Sequence, residues 1–273
     1  MLLSVLMDDT TSGPAFACEH GLSLHIACRD HSILFDAGTS GLFLENAAAL
    51  GLDLAAVDLA VLSHGHVDHG GGLPAFLAVN KTAPVYVQAG ALTPHFTRRA
   101  SGALEDIGLP TSLAGEPRLV PVSGDRKLDD GLWLFSSLSG CRLCPDTSGY
   151  LSGEGGQPQT DPFLHEQNLL LAEGDRRVLL TGCSHRGILN ILDRAMELSG
   201  RPMDAVVGGF HLSNPRDGGN ASGDTLDAIG DALAAWPTQY YTCHCTGSAS
   251  FQRLQQKLPG RIHWIGAGSQ FTL

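Results

Sequence analysis

The sequence predicts an α/β protein with mixed sheets flanked by helices, and two observations carry that expectation. Short apolar runs alternate with stretches of helical periodicity along almost the whole chain. The composition, 43% hydrophobic and 16% charged with 34 glycines, suits a compact, loop-rich domain and not a disordered or coiled-coil chain. The 273 residues are enough to bury a substantial core, and no evident linker interrupts them. Residues 1–273 are therefore read as a single domain.

Taken in order, strands are expected at Leu2–Met7, Leu22–Cys28, Ile33–Phe35, Leu59–Leu62, Val85–Val87, Leu132–Phe135, Asn168–Ala172, Val178–Thr181, Ala205–Val207, Tyr240–Thr242 and Ile262–Ile265. Each is a short run rich in Val, Ile, Leu or aromatic residues. Helical spacing of apolar residues predicts helices over Leu42–Leu50, Ala91–Asp106, Ile188–Leu198, Thr225–Trp236 and Ala249–Lys257. The polar, Gly-rich segments Ser152–Thr160 and Ser213–Asp224 read as surface loops.

The formal net charge of −11 argues against nucleic acid as a partner, because phosphate-backbone affinity is supplied by Lys and Arg. It also disfavours an anionic membrane surface, while leaving room for a small anionic substrate held by a few local arginines. The start, Met1-Leu2-Leu3-Ser4-Val5-Leu6-Met7-Asp8-Asp9, lacks a basic n-region and reads as a strand, not as a secretion signal. No apolar run approaches the roughly 20 residues that span a bilayer. Seven cysteines scattered along the chain do not suggest a disulfide framework, so a cytoplasmic setting is expected. Oligomeric state is left open.

Apolar strands repeatedly end in metal-competent residues. Ile33-Leu34-Phe35 runs into Asp36, Leu59–Leu62 into Ser63-His64, Val178-Leu179-Leu180 toward Cys183-Ser184-His185, Val206-Val207 toward His211, and Tyr240-Tyr241-Thr242 into Cys243-His244. Ligand sites of α/β proteins gather at the carboxyl ends of strands. The densest case is His64-Gly65-His66-Val67-Asp68-His69. His64 and His66 at i, i+2 project to one side of an extended segment. A turn at Asp68-His69, followed by Gly70-Gly71-Gly72, would bring a second pair toward a neighbouring ion. Imidazoles plus a carboxylate form a mixed donor set suited to two divalent ions, with further ligands sought among Cys183, His185, His211 and His244.

His64, His66, Asp68 and His69 match the His-x-His-x-Asp-His signature without a gap, so the chain resembles the metallo-β-lactamase superfamily. Glu19-His20-Gly21-Leu22-Ser23, Gly182-Cys183-Ser184-His185, Gly208-Gly209-Phe210-His211-Leu212 and His244-Cys245-Thr246-Gly247 are similar to a smaller group within it. That group is named for 7,8-dihydropterin-6-methyl-4-(β-D-ribofuranosyl)aminobenzene-5′-phosphate synthase. The resemblance implies a four-layer αββα sandwich with a binuclear site along the top edge of two facing sheets. It puts Cys183 where the superfamily usually has a bridging Asp. It leaves the third histidine as His165 or His185 and the last as His211 or His244, with His244 ranked first and His211 then beside the substrate.

Two bound divalent ions would activate water and clamp an anionic oxygen, giving hydrolysis by default or transfer to an organic nucleophile. Zinc is the expected metal, because Cys183 brings a thiolate, with manganese or iron as alternatives. Asp68 would be both ligand and proton acceptor, and Asp36 would orient an imidazole. Arg186, at a helix start after Cys183-Ser184-His185, is the expected phosphate contact, with Ser184 and His20 also facing substrate. Cys141 and Cys144 have knuckle spacing, with a weaker reading as zinc ligands. His25, His31, His95 and His263 read as structural or exposed. A small phosphorylated or pterin-like substrate is the leading expectation. A phosphodiesterase or ester/lactone hydrolase is the runner-up, and a metal-containing binding or sensor protein without turnover is the reading from another class.

Overall fold

A computed structural model describes residues 1–29, 31–153, 158–214 and 219–273. The chain divides into two compact units, each assembled from segments distant in sequence. The first comprises residues 1–124, 148–167 and 265–273, and the second residues 125–147 and 168–264.

The first unit is built on a seven-stranded sheet in the order Gln270–Thr272, Leu2–Met7, Ser23–Cys28, His31–Phe35, Leu59–Val61, Val85–Gln88, Leu119–Val122. Pairing is antiparallel up to His31–Phe35 and parallel beyond it. From Leu3 to Met7 every residue is buried, and all but Ser4 are apolar, the pattern of a strand covered on both faces. The helices Phe43–Ala49 and Leu73–Val79 supply Phe43, Ala47, Leu73, Phe76 and Leu77 to a core with Leu34, Ala60, Leu62 and Val85. Leu73–Val79 was not expected, although Pro74 in its first turn is a helix-start signal, since that position needs no N–H donor.

The second unit carries a seven-stranded sheet in the order Ile262–Trp264, Gln239–Thr242, Ala205–Gly208, Arg176–Leu180, Asn168–Glu173, Leu132–Phe135, Arg126–Asp129. Its first four strands are parallel and the rest antiparallel. Parallel neighbours need crossover connections, and the helices Ile188–Ser199, Gly223–Ala234 and Ser248–Lys257 supply them. Ile191, Leu192, Leu233 and Leu254 from these helices bury against Leu179, Val206 and Tyr240 of the sheet. Gly200 ends the first helix in the left-handed conformation, and the Ser222 hydroxyl accepts from Thr225 N–H at the start of the second.

Every strand expected from the sequence is present with ends shifted by no more than two residues, and four of the five helices likewise. The fifth, Ala91–Asp106, is overturned. His95–Arg98 and Leu104–Asp106 are instead antiparallel strands of a four-stranded sheet completed by Tyr150–Ser152 and Gln159–Thr160. Pro94 cannot sit inside a helix without losing a hydrogen bond, and the turn at Gly102, with φ of +85°, closes a hairpin through Arg99 and Ala103. Other strands escaped notice because they are sheet edges: Leu119–Val122 contains Pro121, and Arg126–Asp129 is mostly charged. The expected loops Ser152–Thr160 and Ser213–Asp224 fall partly outside the described residues. Their described flanks form the pairs Tyr150–Ser152 with Gln159–Thr160 and Ser213–Asn214 with Gly219–Asn220, and a helix already begins at Gly223. Among the described residues no helix is long and apolar enough to cross a membrane.

Candidate metal centre

In the first unit the parallel strands His31–Phe35 and Leu59–Val61 end side by side, which sets Asp36 against Ser63. The buried Asp36 carboxylate accepts from Ser63 N–H, the Ser63 hydroxyl and His69 Nδ1, each at 2.7 Å. The Ser63 Oγ, having donated its proton to Asp36, lies 2.9 Å from His64 Nδ1 and accepts from it. Both imidazoles are thereby held with Nδ1 protonated, which makes Nε2 the basic nitrogen of each ring. This is the orientation that a metal-binding histidine needs, and the role expected of Asp36 is the one its contacts allow. Asp36 occupies the left-handed region with φ of +58°, a conformation that costs a non-glycine residue about 1 kcal/mol or more and that gathers at functional sites.

The ligand run itself bends from strand to helix. Val67–Gly70 forms one helical turn with His66 at its N-cap, so Asp68 and His69 lie on a helix and not in the expected open turn. The ring centroids of His64 and His66 are 4.5 Å apart and those of His64 and His69 are 4.2 Å apart. Asp68 Oδ2 is 3.8 Å from His69 Nε2 and 3.4 Å from His20 Nε2, while His20 Nδ1 contacts Asp9 at 2.9 Å. Burial, reinforced by the neighbouring imidazoles, holds His64 and His66 well below the ordinary histidine pKa and keeps them neutral. Gly70, Gly71 and Gly72 serve close packing: a side chain at Gly72 would run into the Ala37 and Ser40 carbonyls.

A second cluster in the same unit escaped the sequence reading. His66, His95, Asp161 and His165, all buried, bring their potential ligand atoms within 4.8 Å of one another. Asp161 accepts from His95 Nδ1 at 3.0 Å, His165 Nε2 at 3.1 Å and Phe163 N–H at 2.7 Å. Protonated at Nε2, His165 uses Nδ1 to accept the Gly65 N–H at 2.9 Å. Burial alone would raise the Asp161 pKa, but the hydrogen bonds from His165 and His95 outweigh it and hold the carboxyl below the usual range. His66 stacks on Tyr150 with centroids 5.4 Å apart. Of the other histidines expected to be structural, His25 bonds the Ser32 hydroxyl, His31 faces Asp58 and His263 bonds Gln239.

In the second unit the strands Arg176–Leu180, Ala205–Gly208 and Gln239–Thr242 are parallel neighbours. Their carboxyl ends lead into Cys183-Ser184-His185, Gly209-Phe210-His211 and Cys243-His244-Cys245. Each of these loops has one non-glycine residue in the left-handed region, Ser184 at +59°, His211 at +48° and His244 at +50°. Cys183, His211 and Cys245, all buried, have ligand atoms within 4.8 Å of one another, and the rings of His185 and His211 are 4.2 Å apart. Burial opposes ionisation of Cys245, but hydrogen bonding with Cys183 and His211 outweighs it and draws the thiol well below its ordinary pKa. The fully buried Ser184 hydroxyl donates to Gly209 O at 2.7 Å and so braces the two loops. A cavity of about 370 Å³ opens beside His211, lined among others by Leu143, Asp146, Asn220 and Thr225. Arg186 directs Nη2 to Leu138 O at 3.0 Å. Cys141 and Cys144 are joined in a disulfide, which removes them as zinc ligands.

The profile of the Metallo-beta-lactamase superfamily matches residues 26–211. The chain belongs to this superfamily. As a metallo-beta-lactamase superfamily protein it has relatives that span its length. It is 27% identical over 281 residues to the 7,8-dihydropterin-6-methyl-4-(beta-D-ribofuranosyl)-aminobenzene-5′-phosphate synthase of Methanocaldococcus jannaschii, covering 93% of this chain and 90% of that protein. An uncharacterized protein of the same organism is 28% identical over 258 residues, covering 93% of this chain and 94% of its own. Among solved structures it is similar to Tm1679, a metal-dependent hydrolase of the beta-lactamase superfamily, with a TM-score of 0.82, 28% identity and coverage of 100% and 99% of the two chains. The metallo-β-lactamase fold expected from the sequence is the fold of the chain.

Proposed function

We propose that this superfamily member is a metal-dependent enzyme that holds two divalent ions, with zinc preferred, and acts on a small phosphorylated or pterin-like compound. The observation that carries the reading is the Asp36-Ser63 arrangement that turns Nε2 of His64 and His69 into the basic nitrogen of each ring. The donor set fits the cations: neutral buried imidazoles, one carboxylate and a thiolate are a borderline-soft mixture suited to zinc, with manganese or iron as alternatives. The proposed ligands are His64, His66, Asp68 and His69 of the first unit and, as the superfamily resemblance implies, Cys183, His185 and His244 of the second. His165 is left out, because both of its ring nitrogens are engaged by Gly65 and Asp161.

When bound, the ions supply a Lewis acid and a water whose pKa falls toward about 7. The protein's own groups do the rest. Asp68 accepts a proton at its carboxylate, and His20, bridging Asp68 and Asp9, stands ready to pass it on. His211 borders the cavity and orients substrate there. Ser184 braces the loops through Gly209, and Arg186, whose Nη2 donates to Leu138 O, is the proposed phosphate contact. Residues 1–273 are taken as one functional domain.

Hydrolysis and transfer each have a supporting relative, the former in Tm1679 and the latter in the synthase. Purified protein should carry two equivalents of transition metal by mass spectrometry and turn over a phosphodiester, or a pterin with a pyrophosphate leaving group. Product that forms only with an organic acceptor selects transfer. Absence of stoichiometric metal in protein reconstituted with zinc would refute the proposal, and two metals without turnover on a broad panel would favour a binding protein.

A further inference from the structure

We infer that Cys245 is itself a metal ligand, so that Cys183, His211 and Cys245 form a thiolate-rich cation position within the second unit. Neither the His-x-His-x-Asp-His signature nor the strand-end histidines call for this cysteine. Three features of the chain do. The ligand atoms of Cys183, His211 and Cys245 already lie within 4.8 Å of one another. A tetrahedral zinc with Zn–S near 2.3 Å and Zn–N near 2.0 Å sets its ligand atoms about 3.5–3.8 Å apart, so a contraction of at most about 1.3 Å lets these three atoms share one ion. All three side chains are buried, with 3%, 7% and 6% of their surface exposed, so a pair of thiols there lacks the water that would otherwise solvate their ionised form.

The backbone is also shaped around this sulfur. A methyl group at Gly209 would sit 2.5 Å from Cys245 Sγ, so the residue just after strand Ala205–Gly208 must be glycine for the thiol to reach its place. Cys245 Sγ donates to Cys183 O at 3.6 Å, and Leu212 N–H donates back to Cys245 O at 3.1 Å, which ties the three loops together. The His211 and His244 backbones are held in the left-handed region on either side of it. Binding releases the Sγ proton to solvent and puts a thiolate on the cation, and two thiolates with one imidazole select zinc, cobalt or cadmium over magnesium or manganese.

This inference rests on the proposed function, shares Cys183 with its centre and moves His211 from orienting substrate to holding a cation, but it needs no turnover, and cobalt separates the two. The full chain loaded with Co(II) should show thiolate-to-cobalt charge-transfer absorption, reduced by about half in Cys245→Ser and by about half in Cys183→Ser, with thermal melts confirming that each variant is folded. If either variant fails to fold, sulfur counting by X-ray absorption at the zinc edge of the wild-type chain takes its place, and the averaged sulfur number multiplied by the zinc bound per chain should come to at least two. Cobalt binding with charge transfer unchanged in Cys245→Ser, or a total of one zinc–sulfur bond per chain, overturns the role of Cys245 and leaves the proposed function standing. No cobalt binding by wild-type protein overturns both.

Discussion

Replacing Asp161 with Asn probes how the ligand run is held. The substitution keeps shape but exchanges an acceptor for a donor at the oxygen that takes protons from His95 Nδ1 and His165 Nε2, 3.0 and 3.1 Å away. To avoid a donor–donor clash His165 must move its proton to Nδ1, which then faces the Gly65 N–H that it now accepts at 2.9 Å. The other amide orientation keeps an acceptor there but sets a donor against the Phe163 N–H, so at least one buried hydrogen bond is lost either way and the others no longer go to a charge. At about 1–3 kcal/mol for each buried polar group left unsatisfied, the metal-free chain should lose about 3 kcal/mol in denaturant unfolding. Gly65 lies between His64 and His66, so the same change should weaken zinc binding by about 10–100-fold, the usual effect of removing a group that orients a ligand. Competition against a chromophoric chelator measures the affinity. A variant with wild-type stability and zinc affinity within twofold of wild type would refute the claim that this buried His-Asp-His chain positions the ligands.

Gly72→Ala should destabilise the protein by about 3 kcal/mol through overpacking alone, since the new methyl meets the Ala37 and Ser40 carbonyls; a change below about 0.5 kcal/mol in chemical unfolding would mean that the loop yields. Stability should also depend on pH in a defined direction. His64, His66 and His165 are held below the ordinary histidine value chiefly by burial, whereas the unfolded chain protonates them near pH 6.5. The unfolded state therefore binds more protons below that pH. The stabilisation is complete above about 6.5 and falls on acidification by up to about 1.4 kcal/mol per pH unit for each histidine. Asp161, with its pKa lowered, adds a further loss only below about pH 4. Urea unfolding of chelator-treated protein between pH 7.5 and 5 checks this, and a flat profile contradicts neutral burial of the three rings.

Much of the site was legible because its signal is local. His64, His66, Asp68 and His69 fall within six residues, and one turn of backbone brings them together whatever the rest of the chain does. Asp36 could be read as well, because a carboxylate just past a buried strand has few structural uses. The glycines at 70–72 looked like a turn, yet Gly70 is required by the Leu109 side chain, Gly71 by the Thr39 carbonyl and Gly72 by the Ala37 and Ser40 carbonyls, none of which a local pattern announces. The stretch 91–106 misled because its apolar spacing fits a helix as well as a hairpin, and its pairing with Tyr150–Ser152 decided between them.

What the sequence determined alone is periodicity and chemistry: which runs are strands, where they end, and which ends carry imidazole, carboxylate or thiol. Tertiary structure alone decided which of those groups meet. Asp161 reaches His95 across 66 residues, His165 reaches Gly65 across 100, and Cys245 reaches Cys183 across 62. Such pairings depend on strand order and crossover, which are fixed by burying whole sheets and not by the few residues concerned. The sequence therefore names the donors, while the fold chooses which of them come within reach of one another.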